Sequence, residues 1–399
     1  MGSSAVLRST SLGCFGIIAL GGIAGPAFAD SRFDISPQLI SFYDSNIARS
    51  SAALAEQRHL HRAEFVFNPS LDIRTANPFG PHAITLEANV GYDIHTRNSR
   101  LNRLRASVAA GGKVKLGPCT TTLSGSLARH QSDLEDVFDA QVVKNTETTD
   151  RIGADARCGG AIGIVPLLSA SHEDGWNSNE QRRVADYHSN EVGAGLAYVQ
   201  PTFGELSVRG DFDSVRYPHR ETFGGLLSDG YDVTSVAARY DRHVGVRLQL
   251  GVGLAWSSVD PRGAGRKFSG FTPSADLDYI LGDRAKLHLD YSRSVRPASF
   301  GRGDYMLLTQ YSGELDYALT PRTSVSAGAS LARRNIHGNI DPLFLSSDRR
   351  ESAFVKVAYN PSRRLSASFE VRHERRTADP ATFDFSSTRA ILTLRAHLG

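Results

Sequence analysis

The chain has little lysine beside its arginine, and only 3 cysteines, 2 methionines and 2 tryptophans in 399 residues. Past its first 29 residues no stretch approaches the ~20 apolar residues that a membrane helix needs, which excludes a helical anchor in the mature protein. Charge of one sign is also missing: the formal net charge is +3, too even for a nucleic-acid surface. No Pro- or Ser-rich linker and no shift of composition divides the chain, although about 370 residues would otherwise suggest two or so soluble domains. Arginine suits carboxylate or sulfate recognition, but genomic base composition produces the same excess over lysine and is the preferred explanation. His59 and His61 spell an H-x-H pair, yet no cysteine or acidic cluster stands beside them, so no metal site is expected.

Glycine, by contrast, is abundant, at 37 residues. The chain opens with Arg8, an apolar run around Leu12 to Ala24, and the small-residue site Ala27-Phe28-Ala29. That order of charge, apolar core and cleavage site marks residues 1–29 as a secretory signal peptide, with the mature chain at 30–399. Cys14 precedes most of the apolar core, which disfavours a lipoprotein.

The stretch Tyr231 to Ser258 shows the organising pattern. Val246, Leu248, Leu250, Val252, Leu254 and Trp256 share one face, and Arg247, Gln249, Gly251, Gly253, Ala255 and Ser257 the other. Val236, Ala238 and Tyr240 alternate in the same way with Ser235, Ala237, Arg239 and Asp241, so a hairpin is expected with its turn at Arg242 to Gly245. Similar amphipathic strands recur through the chain and number eighteen. Short connections such as Gly117-Pro118, Pro201 to Gly204 and Pro321-Arg322 alternate with long ones such as Ser132 to Thr149 and Ile336 to Arg350. Short periplasmic turns alternating with longer outer loops are the outer-membrane barrel pattern. The expected fold is therefore all-β, a transmembrane antiparallel up-and-down β-barrel of about 18 strands following a signal peptide.

Two aromatic series agree with this. Tyr198, Tyr240, Tyr279, Tyr317 and Tyr359 each stand on the apolar face just before a short turn, and Leu398 continues the series. Tyr92, Phe212, Trp256 and Tyr291 lie near the far ends of returning strands. Such belts are what lipid-water interfaces select. Charge stays almost entirely on the other face, with Arg216 and Arg293 as rim exceptions. Arg239, Asp241, Arg247, Asp276, Asp278, Asp290, Glu314 and Arg372 are the candidate lumen-lining residues. A propeller shares the repeat length, but its blade signatures are missing and it leaves the belts unexplained.

Cys119 and Cys158 fall on one face at the periplasmic ends of neighbouring strands, within disulfide range in an oxidising compartment. The acidic stretch Ser132 to Asp136 with Asp139 is best taken as a solvated loop. No Ser, His and Asp spacing singles out a triad, so no catalytic residues, cofactor or metal are expected.

The entry Ile35-Ser36-Pro37 with Tyr43-Asp44-Ser45-Asn46, then Phe67-Asn68-Pro69, Tyr92-Asp93, and the closing Tyr359-Asn360-Pro361 to Phe369-Glu370 give the chain a family likeness. It resembles the putative beta-barrel porin 2 family of outer-membrane proteins, often linked with exopolysaccharide secretion. The resemblance implies a polysaccharide or its export machinery as cargo or partner, beside outer-membrane lipid and the barrel-assembly machinery. Such barrels commonly finish on an aromatic residue. This chain ends Ala396-His397-Leu398-Gly399, a departure that bears on assembly efficiency and not on the fold. Two functions compete: a porin-like conduit for a polymer or small polar solutes, and a non-conducting structural or envelope-assembly barrel.

Overall fold

The computed structural model describes residues 32–132, 134, 143–220, 228–263, 265–298, 303–338 and 345–398. The signal segment 1–29 and, of the acidic loop, Asp133, Glu135, Asp136 and Asp139 lie outside them. Eighteen antiparallel strands follow one another round a single closed sheet. They are β1 (Arg32–Asp44), β2 (Glu64–Phe79), β3 (His82–His95), β4 (Arg103–Leu116), β5 (Cys119–Gln131) and β6 (Thr146–Cys158). Then come β7 (Gly163–Asn177), β8 (Tyr187–Gln200), β9 (Gly204–Arg216), β10 (Gly230–Val244), β11 (Leu248–Pro261) and β12 (Phe268–Leu281). The ring continues with β13 (Ala285–Pro297), β14 (Tyr305–Thr320), β15 (Thr323–His337), β16 (Ser347–Tyr359), β17 (Leu365–Asp379) and β18 (Phe385–Ala396). β1 closes it against β18, with Gln38 opposite Arg395 and Asp44 opposite Arg389.

Closure satisfies the edges that an open sheet would leave bare, which is what allows strands to stand in hydrocarbon. The period of two then sorts side chains between two solvents. Outward along β16, for example, run Ala353, Val355, Val357 and Tyr359, while Ser352, Phe354 and Lys356 point inward. Leu168, Leu196, Val208, Val236, Leu254, Phe271, Val355 and Phe369 are among the large apolar residues left exposed. A continuous apolar exterior of this size has no place in water, and it forms the lipid-facing band. No described helix is long and apolar enough to cross a membrane.

Several strands run on past their alternating stretch at the outer end. β6 begins at Thr146, β7 runs to Asn177, β16 begins at Ser347 and β17 runs to Asp379. Outside the bilayer neither face meets lipid, so alternation fades while the hydrogen-bond ladder persists. β8 is preceded by a 3-10 turn, Glu180–Ala185, and starts only at Tyr187. The β10–β11 turn also sits further along than the pattern suggested, since Val244 is opposite Leu248 and the tip is Gly245, Val246 and Arg247. Gly245 takes φ 59°, a conformation glycine adopts without a Cβ clash.

At the outer end the loops pack into cohesive bodies. The loop after β1 contains a short helix α1 (Ala52–Gln57), capped by the Ser51 hydroxyl accepting from Leu54 N at 3.3 Å. Ala55 and Leu60 join Ile47, Leu101, Leu134 and Val143 in one buried cluster. Leu54 points the other way, into Ile336, Leu345 and Phe383. A third cluster holds Tyr187, Val215, Tyr217, Tyr231, Val259, Tyr305 and Leu307. The apolar core of this protein thus sits at its mouth and not between its sheets.

Candidate functional site

The lumen is the only surface that the bilayer leaves free to be polar along the whole barrel. Arg239 and Asp241 point into it from β10, with Arg239 Nε donating to the Asp241 carboxylate at 2.9 Å and Nη2 to Asp276 Oδ1 of β12 at 2.5 Å. Gly251 lies between them on β11, where a Cβ would collide with the Arg239 guanidinium and the Asp276 carboxylate. The glycines on the polar face of this hairpin therefore make room for a charge network.

Asp276 is directly opposite Asp290, and Asp278 opposite His288, whose Nδ1 lies 2.8 Å from it. Glu314 and Asp316 extend the group on β14, opposite His288 and Lys286. Two carboxylates facing each other across a ladder repel. Arg239, Lys286 and His288 stand beside the acidic wall and offset part of that cost. Ser326 donates to Asp316 at 2.5 Å.

On β4, half the 18-stranded ring away from β13, the inward charges are all basic: Arg103, Arg105, Lys113 and Lys115. Arg105 donates to Asn68 at 3.2 Å. Between them β5 contributes Thr120, Thr122, Ser124 and Ser126 to the inner face. A basic wall facing an acidic one sets a field across the pore, and low-dielectric walls strengthen it.

Of the expected lumen residues, Arg372 also points inward, its Nε 2.8 Å from Glu370 and its guanidinium 5.0 Å from the Phe354 ring centroid. Arg247 does not line the lumen. It is exposed in the β10–β11 turn, because that turn lies two residues beyond its expected place, and its carbonyl accepts from Ile280 N at 2.8 Å. Tyr198, Tyr240, Tyr279, Tyr317 and Tyr359 stand on the outward face near the short turns, with the Tyr240 hydroxyl donating to Phe203 O at 2.5 Å. Trp256 stands outward toward the other rim, edge-on to Phe271 at 4.9 Å. Cys119 and Cys158 are opposite each other and bonded, with S–S 2.07 Å. His59 and His61 lie in the loop after α1, and no group of metal-ligating side chains occurs among the described residues.

Three networks escaped the sequence pattern. In the lumen, Arg151 reaches Glu173 at 3.1 Å and Glu191 at 3.3 Å, and Arg157 forms a two-bond fork with Glu205 at 2.8 and 3.0 Å. At the mouth, Asp348 is buried between Arg334 and Arg376, which approach its Oδ2 at 2.5 and 2.6 Å. On the outward face His172, Asp174 and His188 form a polar rim with Asn190, above the lipid band. Inward phase was the available signal for the first. The other two depend on strand ends where the alternation no longer tells the solvents apart.

A second mouth assembly joins the loop after β9 to the loop between β13 and β14. The Tyr217 hydroxyl donates to Asp304 O at 2.7 Å and accepts from Ala298 N at 3.1 Å. Arg220 stacks 3.4 Å from the Tyr217 ring centroid, donates to Gly303 O at 2.8 Å, and lies 3.7 Å from the Asp304 carboxylate. Burial pushes the Tyr217 hydroxyl up to about 12, so it remains a donor at any ordinary pH. Burial likewise raises the Asp304 carboxyl, against the opposing pull of Arg220 and the Ser228 N–H.

Residues 228–398 match the family model of putative beta-barrel porin 2. The chain is a porin-like β-barrel of the outer membrane. No curated protein matches it. Among solved structures it is similar to Pseudomonas aeruginosa OccK2 (OpdF) in complex with glucuronate, at 12% identity over 93% of this chain and 99% of that one, TM-score 0.48. It is also similar to OpdK from Pseudomonas aeruginosa, at 14% identity over 92% and 99%, TM-score 0.47. A BenF-like porin from Pseudomonas fluorescens gives 13% identity over 93% and 99%, TM-score 0.48. At these identities the likeness extends to the fold and no further.

Proposed function

We propose that this barrel is a passive conduit for small polar solutes across the outer membrane, inserted there by the barrel-assembly machinery. The observation that carries the reading is the charge on opposite inner walls, basic on β4 and acidic on β12 to β14. Nothing in lipid or in a packed core requires such an arrangement, whereas a hydrated lumen tolerates it and a permeating ion or dipole responds to it. The acidic wall is the better developed, so monovalent cations should pass more readily than anions.

Purified protein in planar bilayers tests this under a salt gradient. The expected result is unitary conductance with a reversal potential on the cation side. Asp276→Asn combined with Glu314→Gln should move that potential toward the anion side. An intact, heat-modifiable barrel that never conducts would refute the reading and favour a structural or envelope-assembly role, for which the packed outer loops are the supporting observation. A polysaccharide cargo rests on the family resemblance alone. Loss of secreted polymer in a deletion strain is the observation that would establish it.

A further inference from the structure

The wall of the barrel is not zipped to its full height between β12 and β13. Their ladder stops at Ser274 opposite Ser292, although β12 continues to Phe268 and β13 to Pro297. Above that rung β12 pairs on its other side with β11 up to Phe268 opposite Val259, and β13 pairs with β14 up to Pro297 opposite Tyr305. Pro273, the first β12 residue above the last rung, has no N–H to donate, and prolines in sheets mark such unpaired edges.

The side chains show where the β13–β14 arm has gone. Val295, Leu307 and Tyr305 are in phase with Tyr291 and Tyr311, which face lipid. Yet all three pack in the mouth cluster with Val215, Tyr231, Val259 and Phe268, which are inward residues of β9 to β12. The outward face of the arm therefore rests on the inward face of its neighbours, as in a scroll whose inner edge has rolled inside its outer one. Tyr217 and Arg220 hold the tip at Ala298, Gly303 and Asp304.

We propose that the bare edge of β12 is a docking site for the arm itself, at residues Arg293–Ala298, and that the arm alternates between the mouth and this second seat in the wall. Continuing the existing register sets Thr272 against Ser294, Phe271 against Val295 and Gly270 against Arg296. The polarity of these three pairs fits, while Arg293 would stand outward against Pro273, a charge only the rim can receive. Phe271 and Val295 would stand outward together at the belt, Leu307 and Tyr305 would follow outward above it on β14, and Thr272, Ser294 and Arg296 would face the lumen. The edge begins one residue above Tyr291 of the outer belt, and zipping would give its backbone groups partners within the sheet. The mouth seat instead buries apolar surface and keeps the latch. Two seats with such different compensation make a gate. Its effect on flux rests on the conduit reading, but the movement does not.

Phe271→Cys with Val295→Cys tests the movement in isolated outer membranes under oxidant. Opposed residues of a ladder lie ~4.5 to 5.5 Å apart, inside disulfide range. Ala275→Cys with Tyr291→Cys, a pair already opposed, reports folding and oxidation. The double variant should cross-link, and Tyr217→Phe, which removes one latch donor, should raise the rate about two- to ten-fold. Cross-linking of the control pair alone, with and without Tyr217→Phe, would overturn the proposal. In bilayers the cross-linked wall seat should conduct more than the untreated protein. A cross-link that forms in a barrel that never conducts leaves the two seats standing and removes the conduit reading.

Discussion

Replacing Val355 with arginine puts a guanidinium on the outward face of β16, four residues above Tyr359 in the periplasmic belt and four below Glu351 at the outer rim. Val355 is 54% exposed, flanked by Ala327 and Val371, with no outward polar neighbour in the ladder. An arginine at the bilayer midplane costs about 2 to 4 kcal/mol, which lowers the folded, inserted fraction by about 30- to 900-fold at equilibrium. Ser330→Arg is the control. Ser330 of β15 is three residues nearer the outer rim and points inward between Ser312 and Ser352, where a long cation can extend into the lumen. Urea titration of refolding into lipid vesicles, followed by heat-modifiable mobility, reads both. Val355→Arg should lower the midpoint strongly and Ser330→Arg scarcely at all. Equal tolerance would refute the claim that the outer face meets hydrocarbon. Leu250 would be a poor site for the same test, because it is opposite Arg242 and only one outward position above Leu248, the partner of Tyr279 in the belt.

Asp348→Ala removes the buried carboxylate that Arg334 and Arg376 share, and breaking one partner of such a network typically costs about 3 to 5 kcal/mol. The urea midpoint should fall, whereas Asp316→Ala, in the wetter lumen, should leave it nearly unchanged. Removing the Cys119–Cys158 bond frees a closed segment spanning a sequence separation of 39, worth about 4 kcal/mol in the chain-entropy picture. Cys119→Ser with Cys158→Ser should lower the midpoint under oxidising conditions and abolish its sensitivity to reductant. An unchanged midpoint would show that the bond does not constrain the unfolded chain.

The hairpin Tyr231 to Ser258 shows how far the pattern of residues reaches. Its two faces, its antiparallel pairing and its place among eighteen strands were legible because lipid imposes one demand, apolar at every second residue, on every strand alike. Arg239 and Asp241 were legible as lumen residues by phase alone, but their meeting with Asp276 depends on the register of a third strand. Arg247 was misplaced because glycine and valine at the turn satisfy either register.

The sequence by itself therefore determined the membrane part of this protein: strand number, and which face of each strand is inside and which outside. The physical reason is that a bilayer is a uniform solvent and each strand answers it locally. Only the tertiary structure decided what happens at the mouth. Tyr231 and Tyr305 carry the same apolar signature as a lipid-facing residue, yet one is inward and the other is folded onto it at 5.6 Å. Above the lipid band both faces of a strand can be buried by protein, so alternation loses its meaning. Which apolar residue meets which is then set by loops, latches and an unzipped edge that no single strand encodes.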